Sequence, residues 1–281
     1  MCNKKNKNKH MNTLHIGVIG AGQMGAGIAM VCALNGYRVT LVDAMQSALD
    51  SAKNRITAHL SKLSASMDMM SFHTDLTALT NVDVVIEAIP ENLDLKHLLY
   101  ARLSTIVRLD TIIASNTSSF PISDLAKSVT NPERFIGIHF MNPVLKMDLV
   151  EIIPSVDTNE HTLETAKTLI STIKKTAVIS TDQPGFIVNR LLIPMINQAF
   201  IALENGLASK EDIDTALEKG AAFPMGPLKL ADFIGLDTCL AIMETLHNAF
   251  PSSGYAPASL LKKYVKNGTL GRKTKQGVYS Y

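Results

Sequence analysis

Tryptophan is absent from this 281-residue chain, and cysteine is nearly so, with three residues. The first absence excludes base stacking on an indole. The cysteines, Cys2, Cys32 and Cys239, are far apart and odd in number. They offer no disulfide framework and no closely spaced pair for a metal, and they fit a reducing compartment, so a cytoplasmic protein without a metal site is expected. Charge of one sign is also missing. The net charge is +2, which gives no electrostatic case for nucleic acid or an anionic membrane. Nor is there a clean apolar run long enough to span a bilayer. The most apolar stretch, 186–203, carries Asn189, Arg190, Pro194, Asn197 and Gln198, a set that hydrocarbon tolerates poorly. It reads as a buried helix. Residues 1–13, MCNKKNKNKHMNT, lack the apolar core of a secretory signal and read as a flexible tail, with Met11 an alternative start.

What the chain does have is a folded composition, 46% hydrophobic and 19% charged, at a length that suits two domains. The organising stretch is 14–43, LHIGVIGAGQMGAGIAMVCALNGYRVTLVD. An apolar run from Leu14 to Ile19 meets the turn Gly20-Ala21-Gly22-Gln23-Met24-Gly25. Met24, Ile28, Val31 and Leu34 follow at helical spacing. Arg38 to Val42 then reads as a second strand, ending on Asp43. Strand, G-x-G-x-x-G turn, helix, strand and acidic residue are the parts of a dinucleotide-binding βαβ unit. Gly20 serves the tight turn, Gly22 lets a pyrophosphate approach, and Gly25 brings helix and strand close. The helix start offers N–H groups to phosphate, and Asp43 suits the ribose hydroxyls. The cofactor reading is therefore a dinucleotide, against a plain α/β turn.

Further along, residues 46–62 read as a helix and 64–71 as no clear element. Strands are expected at 83–88, 112–115, 134–140, 149–153 and 177–180, with helices at 92–107, 121–127 and 161–173. This alternation predicts a Rossmann-type doubly wound α/β sheet over 14–183. After the break Asp182-Gln183-Pro184-Gly185, only helices are expected, at 186–205, 209–219, 227–249 and 257–267. Residues 184–281 thus form an all-α second domain.

His139 ends an apolar strand, and Glu151 stands on the next. If the two strands are neighbours, the carboxylate can orient the imidazole for general acid–base work. The bland alternative is a structural or surface histidine at a strand end.

The segments GAGQMGAGIA, VIEAIPEN, ASNTSS, RFIGIHFMNPV, LVEII, PGFIVNRLLIPMIN, PMGPLKLADFIGLD and LGRKTKQGVYSY occur in one order from Leu14 to Tyr281. Together they resemble the short-chain-length 3-hydroxyacyl-CoA dehydrogenase family, and within it the bacterial branch acting on 3-hydroxybutyryl-CoA. The resemblance implies hydride transfer between NAD(H) and the C3 hydroxyl or keto group of an acyl-CoA. It implies His139 as catalytic base, Glu151 as its orienting carboxylate, Ser118 as holder of the substrate oxygen and Asn189 as a second polarising donor. It implies cofactor contacts by Asp43, Glu91, Lys96, Asn142 and Lys273; the last two are equally a turn residue and a solvated charge. Family members also pair through the helical domain, so a homodimer is expected.

Several positions depart from the family pattern. Met141 replaces a usual phenylalanine, Gln198 a glutamate, Lys275 a glycine and Val278 a phenylalanine, and Lys146-Met147-Asp148 replaces Val-Met-Lys. The larger departure lies between Arg55 and Asp75. Family members carry a longer lysine-rich hairpin there that meets the CoA nucleotide; here Lys62 is the only lysine or arginine between those two residues. That shortening keeps a second reading open, a same-fold dehydrogenase of a small polar hydroxy acid such as L-gulonate or a carnitine-like substrate. A third reading is a non-catalytic NAD-binding structural protein.

Overall fold

β1 (His15–Ile19) enters the glycine turn and α1 (Gln23–Leu34) leaves it, and the space between them decides the residue types. Gly20 has φ +99°. A Cβ on Gly25 would lie 1.8 Å from the Gly20 carbonyl oxygen, and one on Gly20 would lie 2.5 Å from that of Ala88. Only glycine permits both approaches. A computed structural model of the chain describes residues 14–62, 66–251 and 254–281. The expected tail at 1–13, including Met11 and Cys2, lies outside the described residues. The chain divides into two compact units, Met1–Asp182 and Gln183–Tyr281.

The first unit is built on an eight-stranded sheet. After β1 come β2 (Arg38–Val42), β3 (Met70–His73), β4 (Val84–Glu87), β5 (Ile112–Ser115), β6 (Phe135–Phe140), β7 (Leu149–Pro154) and β8 (Thr176–Ile179). Their spatial order is β3-β2-β1-β4-β5-β6-β7-β8. β1 to β6 are parallel, β7 runs antiparallel to β6, and β8 is parallel to β7. This is the Rossmann-type doubly wound order with two strands added at one edge. The helices α2 (Gln46–Lys62), α3 (Leu93–Leu103), α4 (Ile122–Ala126) and α5 (Glu160–Thr172) complete the unit. β1, β2 and β4 read as apolar runs because both faces are covered: Ile16, Val18, Leu41 and Ile86 are fully buried in the core.

Four expectations need correction here. No element was expected at 64–71, yet Met70 opens β3, an edge strand paired with β2. Its four residues carry too little alternation to be read alone, and tertiary pairing forms it. Residues 63–65, within the shortened hairpin, lie outside the described residues. Helix 92–107 ends at Leu103, with turns beyond it. The other two corrections belong to the helical unit.

That unit holds α6 (Val188–Glu204), α7 (Lys210–Thr215), α8 (Pro227–Ile234), α9 (Leu236–Ala249) and α10 (Ser259–Lys266). The single helix expected over 227–249 is two, broken at Gly235, whose φ is +107°. The one expected over 209–219 leaves α-geometry after Thr215 for a wider turn at Ala216–Gly220. Ile196, Phe200, Leu228, Leu236, Met243 and Leu261 form its core. No helix among the described residues is long and apolar enough to cross a membrane.

The last residues are fastened by two buried aspartates. Asp214 accepts from the N–H groups of Leu228 and Lys229 and from the Tyr279 hydroxyl (2.8 Å). Asp232 accepts from Val278 N (2.9 Å), Tyr279 N (2.9 Å) and the Tyr281 hydroxyl (3.1 Å). Burial, then the Asp214 carboxylate, pushes the Tyr279 pKa up, so its hydroxyl remains a donor. Leaving buried donors unpaired costs ~1–3 kcal/mol each. Asp232→Ala should therefore lower the stability of the helical unit by about 3 kcal/mol in urea unfolding followed by far-UV circular dichroism, and Asp232→Asn by clearly less. A loss below ~0.5 kcal/mol for the alanine variant would contradict this reading of the tail.

Candidate active site

The carboxyl ends of β1, β4, β5 and β6 carry the polar groups, as strand ends do at the switch point of an open α/β sheet. At β1, α1 begins on Gly22 with no side-chain cap and no acidic residue in its first turn. Its leading N–H groups are therefore available to an anion. A Cβ on Gly22 would meet nothing within 4 Å, so packing within the chain does not require glycine there. Asp43, at the end of β2, accepts from Ala21 N (2.7 Å) and Met45 N (2.9 Å). It holds the glycine turn while keeping lone pairs for hydroxyl donors. Arg55 on α2 donates to the Ala21 carbonyl (3.0 Å). Sequence reasoning missed that brace, because nothing in spacing connects α2 to the turn. Gln23 Nε2 donates to Asn142 Oδ1 (2.9 Å), tying the turn to the chain beyond β6.

β6 and β7 are neighbours, and their register places His139 opposite Glu151. Directly opposed residues of an antiparallel pair share a face with their Cβ atoms close. His139 Nδ1 and Glu151 Oε2 lie 2.8 Å apart. The Glu151 side chain is fully buried and that of His139 is 9% exposed. A carboxylate on Nδ1 places the ring proton there and directs Nε2 to other work.

Ser118 follows β5 in a loop held by a single carboxylate. Glu91 Oε1 accepts from the Thr117 hydroxyl, from Ser118 N (3.0 Å) and from Ser119 N (3.1 Å). Glu91 Oε2 lies 3.2 Å from Lys96 Nζ. Lys96 in turn donates to Glu87 Oε1 at 2.7 Å. Glu87 also accepts from Ile89 N, Ser115 Oγ and the Tyr100 hydroxyl. Burial first, then Glu87, pushes the Tyr100 pKa up, so that hydroxyl stays a donor. The side chain of Lys96, expected as a cofactor contact, is 1% exposed, and its ammonium faces two carboxylates. Glu87, Tyr100 and Ser115 were not singled out from sequence. The available signal was Glu87 itself, a carboxylate closing the apolar run Val84-Val85-Ile86.

In the helical unit, Asn189 sits in the first turn of α6. Lys273 binds both oxygens of Asp237, 2.6 Å from Oδ2, in a pair whose two side chains stay exposed. Neither remaining thiol is a candidate nucleophile, because burial pushes Cys32 and Cys239 up to about 12.

The model of the 3-hydroxyacyl-CoA dehydrogenase NAD binding domain matches residues 15–183, and that of the 3-hydroxyacyl-CoA dehydrogenase C-terminal domain matches 185–281. The chain belongs to the 3-hydroxyacyl-CoA dehydrogenase family. It is 45% identical to the 3-hydroxybutyryl-CoA dehydrogenase of Bradyrhizobium diazoefficiens over 278 residues, covering 95% of this chain and 94% of that protein. The probable 3-hydroxybutyryl-CoA dehydrogenase of Bacillus subtilis is 43% identical, with 96% and 98% covered. Among solved structures, (S)-3-hydroxybutyryl-CoA dehydrogenase from Ralstonia eutropha superposes with a TM-score of 0.92 at 42% identity, covering 95% of this chain and 98% of that one.

The first unit is thus a family NAD-binding domain, and its turn, uncapped helix and Asp43 fit that cofactor. No lysine or arginine follows Asp43 through Ala44, Met45 and Gln46. A ribose 2′-phosphate would bring like charge to Asp43 uncompensated. Fluorescence titration should show NADH binding tighter than NADPH by on the order of tenfold or more, since 1.4 kcal/mol of repulsion suffices for that. Equal affinities would overturn this reading of Asp43.

Proposed function

We propose that the chain is an NAD(H)-dependent dehydrogenase of a short-chain 3-hydroxyacyl-CoA, acting at C3 with His139 and Glu151 as a general acid–base pair. The observation that carries this is the His139–Glu151 hydrogen bond, 2.8 Å across directly opposed strand positions, in a chain of this family. The relatives named 3-hydroxybutyryl-CoA dehydrogenase support a short acyl chain. Residues 14–183 serve as the NAD-binding domain and 184–281 as the substrate and dimerisation domain.

NAD, when bound, supplies or accepts the hydride at the substrate's C3. Gly20, Gly22 and Gly25 shape its phosphate seat, Asp43 takes its ribose, and Glu91, Lys96, Asn142 and Lys273 are its further contacts. In reduction, His139 Nε2 donates a proton to the forming alkoxide, while Glu151 steadies the imidazolium. In oxidation, the same nitrogen removes the hydroxyl proton. The Ser118 hydroxyl and the Asn189 amide donate to the oxygen where charge develops. The few, widely separated cysteines support a reducing, cytoplasmic location.

The expected activity is oxidation of NADH by acetoacetyl-CoA, followed by absorbance, well above any NAD reduction with L-gulonate. The reverse ranking would favour the hydroxy-acid reading that the short 61–74 segment keeps open. Because acid–base catalysis contributes ~100 to 10,000-fold, His139→Gln should lower kcat by that order and leave NADH affinity unchanged. Glu151→Gln should lower it too, and the double variant should lose less than the product of the two. Multiplicative losses would separate the pair.

The assembly is a homodimer formed through the helical unit. That unit leaves Leu191 (70%), Leu207 (77%) and Phe233 (48%) exposed, apolar surface that a second copy would cover. Light scattering at micromolar concentration should give twice the chain mass; a monomer would reject the dimer.

A further inference from the structure

Asn142 is exposed, so burial of its own side chain does not fix it. It stands near the start of the connection 141–148 between β6 and β7, the strands that carry His139 and Glu151. What holds that connection therefore decides where Asn142 sits. Val144 is its buried point: it is 4% exposed, and a Cβ on Gly27 of α1 would lie 2.9 Å from the Val144 Cβ. Gln23, in the first turn of the same helix, donates to Asn142 Oδ1 at 2.9 Å. These two contacts tie one side of the connection to α1. The chain then makes a single tight turn, in which Lys146 N and Met147 N both donate to the Pro143 carbonyl (2.9 and 3.0 Å).

Carbonyls at the end of such a turn lack the donors that a continuing helix would bring. Lys175 brings one from another part of the chain. Its Nζ donates to the Val144 carbonyl and to the Met147 carbonyl, at 2.7 Å in each case. The end of α5 aims it there. Lys174 turns left-handed, with φ +60°. Lys174 N donates to the Ser171 carbonyl (3.0 Å) and Lys175 N to that of Ile170 (3.1 Å). This is a Schellman ending, with lysine at the position where glycine is usual. Thr176 N then meets the Asp148 carbonyl (2.8 Å), and β8 begins. Burial, opposed by the Asp148 carboxylate, pushes the Lys175 pKa down, as befits an ammonium that has exchanged water for carbonyls. Charge-assisted bonds are the stronger kind, and one ammonium bridging both carbonyls fixes the turn between them.

We propose that Lys175 is a positioning residue for the cofactor site: it clamps the 143–147 turn, and the clamped turn holds Asn142 against Gln23. This rests on the reading of Asn142 as a cofactor contact. The His139–Glu151 pair does not depend on the clamp, because β6 and β7 are joined directly by their own ladder.

Lys175→Met keeps the aliphatic stem and removes the clamp, whereas Lys175→Arg keeps a cation with several donors. In the full-length protein, fluorescence titration should show the NADH dissociation constant rising about tenfold for Lys175→Met and about twofold or less for Lys175→Arg. Lys175→Gln, able to serve one carbonyl, should fall between them, and it carries the test if the methionine variant does not fold. Hydrogen exchange should quicken at the Lys146 and Met147 amides, with β1 and β4 unchanged. The pH midpoint of kcat with acetoacetyl-CoA should stay where it is in wild type. Asn142→Ala should cost much less NADH affinity in the Lys175→Met background than in wild type, because its side chain is already misplaced there. An equal cost in both backgrounds would overturn the proposal. So would an unchanged NADH affinity in Lys175→Met when Asn142→Ala alone weakens it, or unchanged exchange at 146–147. A moved pH midpoint with NADH affinity kept would overturn it too, and would assign Lys175 to the acid–base pair. If Asn142→Ala is silent toward NADH in wild type while exchange quickens in Lys175→Met, the clamp stands and the cofactor reading of Asn142 falls.

Discussion

The contact on which the first unit depends is the approach of α1 to β1, where Gly25 lies so near the Gly20 carbonyl that a Cβ would come within 1.8 Å of it. That approach aims the helix axis at the strand end and leaves the leading N–H groups of α1 uncapped by any side chain. The partial positive charge of a helix start, normally satisfied by Ser, Thr or Asp, is thereby kept for a phosphate. Asp43 and Arg55 brace the turn from opposite chemistries, the carboxylate on Ala21 N and the guanidinium on the Ala21 carbonyl. A peptide unit held at both its neighbouring polar groups keeps its shape as a ligand arrives, which is the substance of preorganisation.

Around that turn, the strand ends carry buried carboxylates that are satisfied, not idle. Glu87 takes four donors and Glu151 takes His139. A buried carboxylate without such partners would neutralise or destabilise the fold. With them, each becomes a rigid reference point on the sheet, Glu87 at the end of β4 and Glu151 within β7. The helical unit uses the same device for another purpose. Asp214 and Asp232 hold the last residues in place instead of orienting a reacting group.

The α/β class and the dinucleotide turn are legible in the residues, because they rest on local patterns. Apolar runs mark covered strands, and glycines mark the turn. Asp182-Gln183-Pro184-Gly185 marks a break in regular structure. The misreadings share one cause. β3 has four residues and little alternation, and it exists because β2 offers it an edge. Gly235 stops a helix that side-chain periodicity would have continued, and only its positive φ separates α8 from α9.

For the site, the sequence by itself determined the residue types and their place at strand ends: His139 after an apolar strand, Glu151 on the next, Ser118 in a polar loop after β5. Family membership attached roles to them. Tertiary structure alone decided who meets whom. Glu151 reaches His139 because β7 returns antiparallel to β6 in one particular register, and a slip of one residue would turn the carboxylate to the opposite face of the sheet. Lys96 meets Glu87 and Glu91 because α3 packs its buried face over the end of β4. Spacing along a chain reports which groups are available. Burial and register, which arise from contacts between distant segments, decide which of them are joined.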